Sequence, residues 1–155
     1  MVIKQKKFQL ENFLPYHLVT TADLVSRSLS TVYAKYSLTI PEWRILAHLK
    51  KHKKLTHNQL CKFTIMEKAR VTRALILMSK KKLVTRYQDK IDKRIYHTEL
   101  LNDGKKLFLK IEPEILKWEN QLSEVLGKEN YQNLLSGLKL IEEYSFKNKK
   151  FFNKK

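Results

Sequence analysis

The pattern of apolar and polar positions changes period between Thr64 and Leu100. Val71, Leu75 and Met78 recur at i, i+4 and i+7, the spacing of one helix face, with Ala69 and Arg73 about opposite and Arg70 on the flank. Thr64 and Glu67 read as a capping box, Thr-x-x-Glu, that opens this helix. From Leu83 onward β-branched and aromatic residues take over. Leu83–Tyr87 and the end of Ile91–Leu100 are expected to pair as strands around a charged tip, Gln88 to Arg94.

Everywhere else the period is helical. Leu14, Leu18, Ala22, Val25, Leu29, Val32 and Tyr36 mark a long helix over 13–36, with Pro15 near its start where a missing N–H costs little. Thr39 and Pro41 open a second helix, Ile40 to Lys50, followed by a charged connector, Lys50 to Lys54. Thr56 and Gln59 form another capping box for a short helix ending at Phe63, and a turn at Phe63–Thr64 leads into the helix that carries Val71, Leu75 and Met78. Two short capped helices joined by a tight turn, the second basic on its outer face, describe a helix-turn-helix. Asp103 to about Leu126 and Glu129 to Phe146 are the last two helices. Pro113 predicts a kink or restart near Glu112. The fold expected is mainly α with a small β-hairpin wing. Its segments are a basic arm (1–12), a long helix (13–36), a winged lobe (37–101), C-terminal helices (102–146) and a basic tail (147–155), all in one compact domain.

Charge gives this organisation a chemistry. The chain carries 32 Lys and Arg against 15 Asp and Glu, a formal +17. Residues 51–97 hold 14 basic and 3 acidic groups, whereas residues 98–146 hold 6 and 9. A uniform lysine bias would not leave the second block acidic. The positive charge sits where the basic helix and hairpin lie, the footprint of a polyanion-binding face. The single cysteine, Cys61, allows no internal disulfide and reads as a small core side chain. No apolar run approaches the ~18–20 residues that span a membrane, and no signal peptide is read, so a cytoplasmic protein is expected. His48 and His52 stand at i, i+4 without a companion ligand, and no metal is expected. No nucleophile–base pair or glycine-rich phosphate loop is present to suggest an enzyme or a cofactor.

The order of elements, with Val71-Thr72-Arg73, Leu83-Val84, Asp92-Lys93-Arg94, Leu100-Leu101 and Gly104, resembles the MarR family of winged helix-turn-helix transcription regulators over about residues 13–146. Leu38 to Trp43 also resembles the start of that family's second helix. Three positions depart from the family pattern. Lys82 stands where a glycine is usual, Lys93 replaces the middle wing arginine, and Leu101-Asn102 stands where Leu-Thr is usual. With Lys82 at the helix end, either the left-handed glycine cap is missing or Lys82 bears backbone strain.

The resemblance implies a homodimer that binds double-stranded DNA at a pseudo-palindromic site, with the N- and C-terminal helices as dimerisation helices. The alternative is a winged-helix module that binds nucleic acid non-specifically or binds protein. On the recognition helix the candidates are Lys68, Ala69, Arg70, Thr72 and Arg73. Arg70 and Arg73 are suited to guanine O6 and N7, and Ala69 and Thr72 to a thymine methyl or a phosphate. In the wing the resemblance assigns Arg94 to the minor groove and Asp92 to its orientation, while Lys90 and Lys93 suit phosphates. Thr56, Asn58 and Thr64 are candidates to donate from helix starts to phosphate. The resemblance also implies a small aromatic or anionic effector, for which Tyr16, His17, Tyr33, Tyr36 and Trp43 are the candidate lining. An aromatic core is the alternative. The family's peroxide-sensing cysteines lie in the first helix, and this chain has none there.

Overall fold

The computed structural model describes residues 7–147. The first half of the expected basic arm, and all of the expected tail but Lys147, lie outside the described residues. The described chain divides between Ile115 and Leu116 into two compact units.

The first unit begins with a 3-10 turn, Leu10–Asn12, and α1, Leu14–Ala34. Of the α1 residues only Tyr33 is buried, although the apolar spacing runs the whole helix. α2, Ile40–His52, opens with a complete capping box. The Thr39 side chain accepts from the Glu42 amide, and the Glu42 carboxylate accepts from the Thr39 N–H at 2.9 Å. The expected connector 50–54 is instead the last turn of α2, then Lys53 at φ 64°, then the first residue of β1, Lys54–Thr56. α3, His57–Thr64, is capped by Thr56 and Gln59 as the spacing predicts. α4 spans Lys68–Lys80, and the strands β2, Val84–Gln88, and β3, Tyr96–Leu100, form the hairpin. The three strands make an antiparallel sheet in the order β1-β3-β2, with Leu55 opposite Thr98 and Arg86 also opposite Thr98.

The Thr64–Glu67 capping box does not form. Thr64 is the last residue of α3, buried, and its hydroxyl donates to the Leu60 carbonyl at 2.6 Å. A threonine that bonds back one turn extends its own helix instead of starting the next. The turn therefore moves to Ile65, in the left-handed conformation at φ 53°, and α4 begins after Glu67, which makes no side-chain cap bond.

The core of this unit lies between the helices and the sheet. α2 contributes Ile45, Leu46 and Leu49, α3 Leu60, α4 Val71, Ala74, Leu75 and Met78, and the sheet Leu55, Val84 and Leu100. At the end of α4 the Leu83 N–H bonds the Met78 carbonyl at 2.9 Å and the Lys82 N–H bonds Ser79 at 3.0 Å, a Schellman closure. Lys82 takes its left-handed position at φ 56° with no glycine to relieve it. Glu42, fully buried, receives the Lys81 ammonium at 2.6 Å, and Lys81 also donates to the Ser37 carbonyl at 2.5 Å. One residue of the basic Lys80–Lys82 run is thus a tie between the start of α2 and the end of α4.

α5, Asn102–Leu126, passes through Pro113 as one helix, without the restart expected near Glu112. The second unit holds its last turns and α6, Lys128–Lys147, separated by Gly127 at φ 74°. Within it Tyr131 donates to Glu119 at 2.5 Å.

Candidate nucleic-acid interface

α4 is packed by its buried face, and that fixes what its other face can do. With Val71, Ala74, Leu75 and Met78 in the core, Lys68, Ala69, Arg70, Thr72 and Arg73 all stand exposed. Neither Arg70 nor Arg73 makes an ion pair or side-chain hydrogen bond among the described residues, so both guanidinium groups are free to meet a ligand. The first-turn amides of α4 have no side-chain cap, which leaves a positive helix end beside Lys68. Ile76 shares the exposed side, 51% accessible, and extends the row begun by Ala69 and Thr72. Its exposure was not legible from the spacing, because an isoleucine beside Leu75 reads as core.

Thr72 is more constrained than its sequence role suggests. Its hydroxyl donates to the Lys68 carbonyl at 2.9 Å and lies 3.0 Å from His57 Nε2. Because the hydroxyl proton is already given to Lys68, the Nε2 carries the proton and donates to Thr72. Nδ1 is then the acceptor facing Cys61 Sγ at 3.7 Å. The Thr72 hydroxyl is thereby engaged within the lobe, although the residue itself is exposed. Burial holds the His57 pKa below the usual histidine value, reinforced by Arg86 and Lys68 nearby.

The phosphate candidates at the helix starts separate. Thr56 accepts from the Gln59 amide at 3.3 Å and keeps its own proton to donate, and Asn58 is exposed in the first turn of α3. Thr64 is corrected: it sits at a helix end, is buried, and has given its proton to Leu60.

The wing is built by two aspartates in series. Asp89 Oδ1 accepts from the amides of Ile91 at 2.9 Å and Asp92 at 3.1 Å, and its Oδ2 meets His97 Nε2 at 2.9 Å. These amide bonds, with His97, pull the Asp89 pKa down to about 2. Asp92 in turn accepts from the Arg94 amide at 3.0 Å, from Nε at 3.1 Å and from Nη2 at 3.3 Å, and the Arg94 side chain holds the Asp92 pKa low. Arg94 remains 91% exposed in its side chain while its direction is set. Lys90 and Lys93 are exposed beside it, and the Lys93 carbonyl accepts from the Gln88 side chain. Asp89 and His97 escaped sequence reasoning. The Asp-x-Ile-Asp spacing of an Asx-turn was a usable signal for the first, whereas His97 is tied only through the pairing register.

The aromatic candidates do not form one pocket within the chain. Tyr33 stacks on Trp43 at 5.2 Å and Trp43 on Phe108 at 5.9 Å, with Tyr33 buried. Tyr36 donates to Glu114 at 2.5 Å, and Lys35 pairs with the same carboxylate. Tyr16 and His17 lie at the far end of α1, roughly 24 Å along the helix axis from Tyr33 at about 1.5 Å per residue, and His17 is bonded to the Glu11 carbonyl at 2.7 Å. Among the described residues no cluster of three or more His, Cys, Asp or Glu is placed to hold a metal ion, and no helix is long and apolar enough to cross a membrane.

Comparison with known proteins places this geometry. Residues 36–95 match the sequence model of the MarR family. The chain is 25% identical over 129 residues to the HTH-type transcriptional regulator FarR of Neisseria gonorrhoeae, covering 81% of this chain and 88% of that protein. Among solved structures, a MarR family transcriptional regulator from Silicibacter pomeroyi superposes with TM-score 0.78 at 25% identity, over 92% of this chain and 95% of that one. NadR, solved in complex with 4-hydroxyphenylacetate, superposes with TM-score 0.73 at 23% identity, over 90% and 97%.

Proposed function

We propose that this chain is a MarR-type DNA-binding transcription regulator, not an enzyme, and that it reads its target as a homodimer that sets two α4 helices into the major groove of a pseudo-palindromic site. The observation that carries this is the pair of unengaged guanidinium groups, Arg70 and Arg73, on the face of α4 that the core leaves outside. Each suits a guanine, at about 1–3 kcal/mol of discrimination. Ala69 and the methyl of Thr72 meet thymine methyls, and Lys68 with the uncapped helix start holds a phosphate. Arg94, aimed by Asp92, enters the adjacent minor groove, and Lys90, Lys93, Thr56 and Asn58 take backbone phosphates.

Residues 13–36 and 102–146 supply the dimer contacts. Leu14, Val19 and Leu24 on α1, and Leu134 and Leu140 on α6, are exposed apolar side chains of the kind a second copy covers. A small aromatic or anionic effector, of the chemistry that NadR holds in 4-hydroxyphenylacetate, is proposed to act near Tyr36 and Trp43. The regulator works in the cytoplasm.

The test separates reading from holding. Arg73→Ala is expected to flatten the preference among duplex sequences. Lys90→Ala is expected to weaken all duplexes alike and to reduce the slope of log affinity against log salt by about one. Equal weakening of every sequence by Arg73→Ala would reduce Arg73 to a phosphate contact and favour a non-specific module.

A further inference from the structure

We propose that the winged lobe carries a second ligand site, for a small organic anion with two or more carboxylate or phosphate groups, in the cavity of about 450 Å³ between the end of α2, strand β3 and the first turn of α5. Its lining is Leu49, Lys50, Lys53, Glu99, Leu100 and Lys105. None of the aromatic candidates lines it, so it is separate from the effector region proposed above. Its volume falls in the range of about 300–1,000 Å³ typical of small-molecule sites.

Three features point to a polyanion. First, the floor is apolar, with Leu49 and Leu100 buried, while three lysines and one glutamate complete the lining. None of the three lysines has a carboxylate within ion-pair distance among the described residues, and Lys50 rests its ammonium 5.4 Å from the centre of the Phe108 ring instead. Like charges gathered on one cavity repel until a counter-charge enters. Second, Lys105 stands in the first turn of α5, where a cation opposes the helix dipole and gains from an anion held beside it, Asp103 of the same turn not lining the cavity. Third, Lys53 is held at φ 64° and ψ −57°, a conformation that suits glycine. The strained position is occupied by the residue that adds a third ammonium to the walls. Glu99, the lone carboxylate, is placed to accept from a hydroxyl of the ligand.

The walls are also parts of the DNA-binding lobe. Glu99 lies on β3 opposite Lys54 and Thr85, and β3 continues from the wing. Lys53 immediately precedes β1 and α3. A bound polyanion therefore lowers DNA affinity, by its charge and by its grip on these strands. This second step rests on the DNA-binding reading, whereas the site itself does not.

The test uses the full chain and citrate, which has three carboxylates and one hydroxyl, with inorganic phosphate as the smaller probe. Calorimetric titration without DNA, at ionic strength balanced with chloride, should show saturable citrate binding at one site per chain. Lys105→Gln and Lys53→Gly should each weaken it about tenfold, and Lys139→Gln on α6 should leave it unchanged. Lys53→Gly relieves the backbone as it removes the charge, so a melting curve no lower than wild type shows that lost binding is not lost folding. Absent saturation, or equal weakening by all three variants, would overturn the site. With a bound duplex, citrate should reduce affinity in wild type and not in Lys105→Gln. Saturable citrate with unchanged DNA affinity would overturn the coupling. Lower DNA affinity of Lys105→Gln without citrate, together with no citrate isotherm, would show that the cavity lies on the DNA path and would overturn the proposal. A chain that binds citrate but no duplex would refute the DNA-binding reading and leave the site standing.

Discussion

Arg94 reaches outward because two other side chains prepare it. Asp89 folds the hairpin tip through the Ile91 and Asp92 amides, and Asp92, held there, takes the Arg94 guanidinium. Replacing Asp89 with alanine is expected to lower duplex affinity about tenfold while the melting temperature changes little, since the tip lies outside the core; anisotropy titrations and melting curves on the same protein check both parts. A matching loss of melting temperature would mean that Asp89 supports the fold at large. His57 gives a residue-scale pH response. Its folded pKa lies below the ordinary 6.5, so the unfolded chain takes up a proton the folded one resists. Stability is therefore complete above 6.5 and declines as pH falls from there toward the depressed value. The melting temperature of wild type should drop faster between pH 6.5 and pH 5.5 than that of His57→Gln, and parallel curves would exclude His57 as the source. The arginines of α4 were legible in the sequence from helical spacing, and the Asp92–Arg94 pairing from the family resemblance. The Thr72–His57 link was not, because it joins side chains fifteen positions apart that only packing brings together.

At the scale of elements, the legible parts are those that local chemistry decides. The Thr39–Glu42 and Thr56–Gln59 boxes form as their spacing predicts, and the wing strands follow their β-branched composition. The parts that failed are decided by competition. Thr64-x-x-Glu67 has the letters of a cap, but Thr64 bonds Leu60 and ends α3. β1 is three residues long and hidden in a lysine run; it exists because Leu55 can pair opposite Thr98 and bury. Lys82 does bear the strain that its missing glycine implies, so Lys82→Gly should stabilise the fold by about 1 kcal/mol, raising the melting temperature by about 2–4 °C. Gly104 is the opposite case. A Cβ there would lie 2.2 Å from the Leu83 carbonyl oxygen, a backbone atom that cannot step aside. Gly104→Ala should cost about 1–3 kcal/mol, and a neutral melting curve for it would mean that α5 shifts against the backbone at Leu83 at little cost.

For the whole molecule, the uneven charge pointed to a polyanionic partner, the pattern to a mainly helical fold with a wing, and the resemblance to a MarR-type regulator. Dimer geometry was beyond reach of the sequence, since an apolar stripe such as that of α1 reads the same whether it meets its own core or a second copy. Leu29 and Tyr36 at the end of that stripe pack against the chain's own core, whereas Leu14 on it and Val19 and Leu24 beside it are open to solvent, where the proposed second copy would cover them. In the homodimer proposed above, two copies related by a two-fold axis would turn one reading head into two, and their half-sites should be inverted and about one helical turn, roughly 34 Å, apart. Selection of bound duplexes from a random-sequence pool, at a fixed salt concentration, measures this directly. Enrichment of an inverted repeat with that spacing is expected, lost when the pool is selected with Arg73→Ala. A pool that enriches no motif, or a single unrepeated one, would contradict this expectation.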